Sequence, residues 1–174
     1  MKVLLIFASV EGHTRKIANF IHAQLKEMGH SADEVDAGKQ DCIYPSNKYD
    51  KVILAASIHR RRHPVNFEKF ISRHLQEIDA KDNLMISVSL CAAFPEGQDE
   101  AQTYLHEFTR RTGFKASLNA LVGGALQFEK YKDYESLVIR LIGLHINRYE
   151  SVDRDQEFTN WSLLESTVSE LMQM

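Results

Sequence analysis

The chain has 174 residues, of which 44% are hydrophobic and 26% charged, with a formal net charge of −3. This composition excludes a disordered, collagen-like or coiled-coil chain, and the mild negative charge argues against a nucleic-acid partner. We expect one domain over 1–174, without a membrane span, because no apolar run approaches the roughly 20 residues that one needs. The two cysteines, Cys42 and Cys91, favour free thiols in a reducing compartment, so we expect a cytoplasmic protein.

Strand and helix patterns alternate in the first half of the chain. The continuous apolar run Val3–Ala8 predicts a strand buried on both faces. Apolar residues at helical spacing over Ile17–Met28 predict a helix that ends at Gly29. A more polar strand is predicted over Ser31–Asp36, near a sheet edge, and a second buried strand over Lys51–Ile58.

The same alternation continues in the second half. Pro64–Ile78 predicts a helix with proline in its first turn, and Leu84–Leu90 predicts a third buried strand. A helix that ends near Gly113, a strand over Ala116–Val122 and a last helix over 160–171 follow. Strands that alternate with helices are typical of a parallel sheet covered on both sides.

The order of these elements predicts a three-layer α/β sandwich with a five-stranded parallel sheet in the order 2-1-3-4-5. Residues 125–158 exceed this plan and are predicted to form a helical insert before the last helix. Within it, 134–149 mixes apolar and basic residues, which is typical of core packing, of a dimer contact or of peripheral membrane contact. Ligands of such sheets bind beyond the carboxyl ends of the strands, so we expect the site in the loops after Ala8, Ile58 and Leu90.

The loop after the first strand carries the strongest signal for a ligand. It reads Ser-Val-Glu-Gly-His-Thr over 9–14 and leads into a helix, whose free N–H groups and positive dipole end suit a phosphate. Ser9 and Thr14 add hydroxyl groups, and Gly12 permits close backbone approach; the alternative is a simple capped turn. The chain has no Gly-Lys-Ser/Thr run, no G-x-G-x-x-G and no arginine six residues after Cys91. A mononucleotide cofactor therefore suits this loop best.

Ser9-x-x-Gly12-x-Thr14 resembles the flavodoxin phosphate loop, which holds the phosphate of FMN, although position 11 is Glu where that loop has Thr. Other stretches are similar to one branch of the flavodoxin superfamily, the menaquinone-dependent protoporphyrinogen IX dehydrogenases. They are Gly12-x-Thr14-Arg15-x-Ile17-Ala18, Ala56-Ser57-Ile58 before a basic loop, Gly124-Ala125-Leu126, and Glu157-Phe158-Thr159-Asn160-Trp161. The similarity covers nearly the whole chain. In this branch a Gly-Gly pair follows the inserted helix, whereas this chain has Arg148–Asp153 there.

The resemblance implies an FMN cofactor held by three loops. The residues implied are Ser9, Val10, Glu11, Gly12, His13 and Thr14 for the phosphate, and Ser57, Ile58, His59, Ser89, Leu90, Cys91, Ala92 and Ala93 for the ring. It also implies oxidation of protoporphyrinogen IX to protoporphyrin IX in heme biosynthesis, with electrons passed to menaquinone or ubiquinone. An enzyme of this kind would be cytoplasmic, with peripheral contact at the inner membrane.

The loops expected around the ring favour an enzyme over an electron carrier. They offer Phe94 as their one aromatic residue, so one face of a flavin would stay open to a flat substrate. Arg60, Arg61 and Arg62 form either a solvated basic loop or a site for the substrate's propionates. His59 and His63 have the spacing of metal ligands, but no partner residues complete a set, so we expect no metal.

Two other functions stay open at this point. The first is a flavodoxin-like electron-transfer protein, or a quinone reductase with a different donor; an electron carrier predicts an acidic rim around the flavin. The second is a relative that has lost its cofactor and works as an interaction module, for which Glu11 is the only support.

Overall fold

A computed structural model of the chain describes residues 1–46, 48–126 and 155–174. Its main sheet has five parallel strands in the order β2-β1-β3-β4-β5, which confirms the predicted fold and strand order. The strands are β1 (Lys2–Ala8), β2 (Ser31–Asp36), β3 (Lys51–Ser57), β4 (Asp82–Ser89) and β5 (Leu118–Gly123).

The helices connect these strands and cover both faces of the sheet. They are α1 (His13–Glu27), α2 (Val65–Arg73), α3 (Leu75–Asp79), α4 (Gln98–Thr112) and α5 (Trp161–Gln173). Two short 3₁₀ turns, Cys91–Ala93 and Pro95–Gly97, follow β4. Strands β6 (Ala125–Leu126) and β7 (Gln156–Glu157) form a small antiparallel pair outside the main sheet.

The core lies on both sides of the sheet because successive strand residues point to opposite faces. Along β1, Val3, Leu5 and Phe7 belong to the core layer formed with α1 and α5, whereas Leu4 and Ile6 belong to the layer formed with α2 and α4. All five side chains are at most 1% exposed. The continuous apolar run of β1 is therefore required on both faces, and it fixes the loop that follows β1 at the edge of a rigid sheet.

Two predicted boundaries differ from the structure for local reasons. The single helix expected over 64–78 is divided at His74, whose backbone leaves helical geometry and whose ring stacks against Tyr44. Strand β5 begins later than expected because Asn83 and Ser117 exchange side-chain hydrogen bonds with each other's backbone N–H groups, at 3.2 and 2.9 Å. These bonds take the place of the sheet ladder at this end.

The ends of the predicted insert lie side by side. Ala125 pairs with Glu157 and Leu126 with Gln156, and the Phe158 N–H donates to the Gly124 carbonyl at 2.9 Å. The chain therefore leaves and re-enters the main domain at one place, beside the end of β5. The rest of the insert, including the stretch 134–149 for which membrane contact was considered, lies outside the described residues. In the described ranges, no helix has the length and apolarity to cross a bilayer.

A buried histidine connects β4 to the loop before α2. His63 is 1% exposed, and its Nε2 lies 3.0 Å from the Ser87 hydroxyl. Burial lowers the pKa of His63 to about 3, although the nearby Glu68 carboxylate partly opposes this effect. Burial alone would raise the pKa of Glu68, but the hydrogen bonds from Arg62 and Arg111 outweigh it and hold that pKa below its ordinary value. His63 is thus a neutral core residue.

We predict that His63 makes folding sensitive to acid. The folded pKa is about 3 and the unfolded value 6.5, so the unfolded state takes up the proton first. Its contribution is complete above pH 6.5 and is lost progressively as the pH falls toward 3. Between pH 7 and pH 5, His63 should remove about 2 kcal/mol from the free energy of unfolding. Urea unfolding of wild type and His63→Phe at both pH values should show a smaller decline in the variant; equal declines would contradict the assignment.

Candidate functional site

A cleft opens at the carboxyl edge of the sheet, where β1, β3 and β4 end. It encloses about 870 Å³ when the open solvent at its mouth is counted. Ten of the fourteen residues expected to hold a cofactor line it: Val10, Glu11, His13, Thr14, Ser57, Ile58, His59, Ser89, Leu90 and Cys91. The three loops predicted from the sequence therefore meet at this cleft.

The loop between β1 and α1 leaves the N-terminus of α1 available to a ligand. Gly12 precedes the helix in the left-handed region, at a φ of 97°, and no side chain caps the helix. The Ser9 hydroxyl accepts a hydrogen bond from the Gly12 N–H at 3.0 Å, so it shapes the loop rather than lining the cleft. The first-turn N–H groups of α1 can therefore donate to an anion.

Two hydroxyl groups in the cleft are buried without a hydrogen-bond partner among the described residues. They are Thr14 Oγ1, on a residue 1% exposed, and Ser57 Oγ at the end of β3. A buried polar group left unpaired costs about 1–3 kcal/mol, so such groups are rare unless a ligand completes them. Because both line the same cleft, they are placed to bind one polar ligand along its length.

His13, the first residue of α1, connects the loop of residues 9–14 to the segment that follows the insert. Its Nε2 donates to the Thr159 hydroxyl oxygen at 2.7 Å, since that hydroxyl itself donates to the Gly123 carbonyl at 2.8 Å. Burial lowers the pKa of His13, and the Glu157 carboxylate, 3.8 Å from Nδ1, partly opposes this. His13 therefore supplies a neutral imidazole that holds the cleft wall together.

Gly123 permits this close approach of β5 to the segment before α5. A Cβ atom at this position would lie 2.5 Å from the Phe158 carbonyl oxygen. The next two residues, Gly124 and Ala125, line the cleft, and the Gly124 N–H donates to the Ser89 carbonyl at 3.0 Å. The insert thus begins and ends at the wall of the cleft.

The basic loop after β3 makes a tight turn that directs its three arginines to different surroundings. Arg60 and Arg61 occupy the left-handed region, at φ values of 50° and 64°, while His59 and Arg62 pair across the turn. This conformation is unfavourable for residues other than glycine, and such strain concentrates at functional sites. Arg60 and Arg61 line the cleft, whereas the Arg62 guanidinium donates to the buried Glu68. Only two of the three arginines expected to meet a substrate therefore reach the site.

The loop after β4 is fixed by its own hydrogen bonds. The Ser89 hydroxyl accepts from the Ala92 N–H at 3.1 Å, and the Gln98 amide donates to the Ala92 carbonyl at 2.7 Å. Leu90 and Cys91 line the cleft, but Ala92 and Ala93 do not. Phe94 packs against Phe158, with ring centroids 5.3 Å apart, and is also absent from the lining.

Sequence reasoning missed Tyr104 of α4, which lines the cleft together with Val88, Gly124 and Ala125. Tyr104 lies on the buried face of its helix and is only 5% exposed. Its hydroxyl donates to Glu100 one turn earlier. The sequence does offer one signal: Glu100 and Tyr104 are four residues apart on a predicted helix, so their side chains can contact each other.

Across the cleft, His59 Nδ1 lies 3.9 Å from the Glu11 carboxylate, so the first and second loops face each other directly. Glu11 occupies the position at which the flavodoxin loop has threonine. In the part of the chain that the structure describes, no group of three or more His, Cys, Asp or Glu side chains is arranged to hold a metal ion.

Comparisons with known proteins agree with this geometry. The model of the flavodoxin-domain family matches residues 4–152, so the chain belongs to that family. Protoporphyrinogen IX dehydrogenase (quinone) from Escherichia coli strain K12 is 26% identical over 172 residues, which cover 98% of this chain and 94% of that protein. The protein of the same name from Leishmania major is 23% identical over 170 residues, covering 97% and 74%.

A solved structure shows the same fold. It is a short-chain flavodoxin associated with a non-canonical PDU bacterial microcompartment, which superimposes with a TM-score of 0.52 at 16% identity. The match covers 86% of this chain and 99% of that one. The resemblance inferred from the sequence is thereby confirmed at the level of family and fold.

We predict that the pKa of His13 lies below its ordinary value and that Glu157→Gln lowers it further. The direction follows because burial lowers this pKa while the Glu157 charge raises it. NMR titration of the His13 ring protons checks both statements. Glu34→Gln is the matched control, since Glu34 lies 2.6 Å from His22 instead, and it should leave His13 unchanged. A rise in the pKa of His13 in Glu157→Gln would contradict the described contact.

Proposed function

We propose that the cleft binds FMN, with its phosphate on the loop of residues 9–14. The observation that carries this proposal is the pair of buried, unpartnered hydroxyls of Thr14 and Ser57 in a cleft that starts at an uncapped helix N-terminus. The helix supplies N–H donors and a positive dipole end, and Thr14 adds a hydroxyl donor, so a dianionic phosphate needs no lysine there. The residues present therefore fit the group.

The flavin ring would lie between the loops after β3 and β4. Ser57, Ile58 and His59 would border it on one side, and Leu90 with Cys91 on the other. Because Phe94 is turned into the core against Phe158, it would not cover the ring. When bound, the flavin supplies two-electron oxidation; the chain's own residues position the reactants and leave a face of the ring open.

We further propose that the substrate is protoporphyrinogen IX, which is oxidised to protoporphyrin IX with a quinone as acceptor. Support comes from the name shared by relatives that match nearly the full length of the chain. It also comes from Arg60 and Arg61, which a strained turn holds at the cleft. Guanidinium groups bind carboxylates in a bidentate manner, and a porphyrinogen carries two propionates.

The acceptor would be menaquinone or ubiquinone, and the protein would act at the cytoplasmic side of a membrane, with peripheral contact through 134–149. A flavodoxin-like electron carrier is the second candidate, because the described fold is shared with flavodoxins. A carrier of this kind would dock through an acidic rim, whereas two cationic side chains line this cleft. We therefore favour the enzyme.

Thr14→Val should weaken FMN binding without lowering the stability of the apoprotein. Valine has the shape of threonine without its hydroxyl, so we expect FMN affinity to fall by about 1–3 kcal/mol. The apoprotein should unfold at the same urea concentration as wild type or a higher one, since the lost hydroxyl has no described partner. Isothermal titration with FMN and urea unfolding measure the two effects.

Thr167→Val is the control, because its hydroxyl bonds to the Leu163 carbonyl on the surface of α5. It should leave FMN affinity unchanged. An unchanged affinity in Thr14→Val would remove this residue from the proposed site.

The reaction itself is tested anaerobically with FMN-loaded protein, protoporphyrinogen IX and a water-soluble menaquinone analogue. We expect porphyrin fluorescence to develop only when protein and quinone are both present. Arg60→Gln should raise the KM for porphyrinogen about tenfold, as expected for a lost charge-assisted contact, whereas Arg110→Gln, on the far surface with Glu107, should not. Bound FMN without any porphyrin product would overturn the substrate assignment and favour the electron carrier.

A further inference from the structure

A cluster of polar side chains lies at the wall of the cleft formed by α4 and the loop after β4. The Tyr104 hydroxyl donates to Glu100 Oε1, and Arg61 Nη2 lies 3.8 Å from the same oxygen. The Cys91 thiol contacts both Tyr104 and Glu100. Three of these four residues, Tyr104, Arg61 and Cys91, line the cleft.

The members of this cluster differ in how far they reach toward solvent. Tyr104 is 5% exposed, whereas the Glu100 side chain is 26% exposed. The hydrogen bond between them therefore runs from the interior wall of the cleft to a carboxylate in contact with water. A proton taken up at the Tyr104 oxygen can leave through Glu100 without passing through the ligand volume.

The thiol in this cluster is a poor base. Burial, with a smaller effect from the Glu100 charge, raises the pKa of Cys91 to about 11, so the thiol stays protonated at neutral pH. Burial and the hydrogen bond to Glu100 also raise the pKa of Tyr104, so its hydroxyl keeps its proton unless another replaces it. The Glu100 carboxylate is thus the acceptor of the cluster.

The other ionisable groups of the cleft are engaged elsewhere. His13 Nε2 is bonded to Thr159, and Glu11 belongs to the loop at the helix N-terminus, where an anion would be held. His59 faces Glu11 across the cleft. Tyr104 and Glu100 are therefore the donor–acceptor pair best placed at the ring end of the cleft.

We propose that Tyr104 and Glu100 form a proton relay that serves the oxidation. This inference rests on the proposed function. In the first two-electron step, a methylene C–H bond of the porphyrinogen would break, and its hydrogen would leave with the electron pair to bound FMN, the oxidant that the proposed function supplies. A pyrrole N–H bond breaks as well: its proton passes to the Tyr104 oxygen while the Tyr104 proton moves to Glu100. A carbon–carbon double bond forms in the substrate, and the quinone finally receives two electrons and two protons, one of them returned through Glu100 or solvent.

The test compares Tyr104→Phe and Glu100→Gln with Tyr49→Phe. Tyr49 is an apt control because it is also buried and also donates to a carboxylate, Asp33, at 2.8 Å, but away from the cleft. Stopped-flow absorbance follows flavin reduction by porphyrinogen between pH 5 and pH 9. In wild type and Tyr49→Phe we expect the same rate and the same solvent isotope effect.

Tyr104→Phe and Glu100→Gln should each lower this rate at least tenfold and reduce the solvent isotope effect, because either change interrupts the proton path. FMN affinity, measured by quenching of flavin fluorescence, should be unchanged in both, which excludes a merely structural effect. Rates and solvent isotope effects equal to those of Tyr49→Phe would overturn the relay.

A second measurement does not depend on porphyrinogen. The midpoint potential of bound FMN at pH 7, measured with mediator dyes, should be more negative in wild type than in Glu100→Gln, because the Glu100 carboxylate would lie near the ring. Failure of wild type to oxidise porphyrinogen would reject the proposed function alone. Equal potentials for wild type and Glu100→Gln would place Glu100 away from the ring and reject the relay.

Discussion

The structure depends on the junction between β1 and α1. Strand β1 must be buried on both faces, and the helix that follows its loop must begin without a side-chain cap. The first condition makes the end of β1 rigid, because its residues are packed between two layers of helices. The second leaves backbone donors facing the cleft at a fixed position. These two facts place backbone N–H donors at the edge of the cleft before any other residue is considered.

The remaining walls of the cleft are built around this point. The second wall is a turn after β3 whose strained conformation presents Arg60 and Arg61 while Arg62 is held by Glu68. The third is the loop after β4, closed by Ser89 and Gln98. The two ends of the insert join the same edge, where the contacts of Gly123 with Phe158 and Thr159 leave no room for a side chain on the glycine. Changes in the insert can therefore alter the site without altering the sheet.

The fold and the three site loops could be predicted because both depend on short-range patterns. Continuous apolar runs identify central strands, and strand order restricts where a ligand binds. The different environments of the three arginines could not be predicted, because they depend on the contact of Arg62 with Glu68, a carboxylate whose burial is seen only in the structure. Two further side chains differ from the expectation. Phe94, expected beside the ligand, packs against the distant residue Phe158 instead, and Tyr104, which was not expected at the site, lines the cleft.

The central claim is that the β1–α1 loop binds the phosphate of FMN through the helix N-terminus and Thr14. A crystal structure of the protein with FMN tests it most directly. The account predicts a phosphate oxygen about 3 Å from Thr14 Oγ1 and within hydrogen-bond reach of the first N–H groups of α1. A structure in which the Glu11 carboxylate occupies that position, with the nucleotide bound elsewhere or not at all, would contradict it.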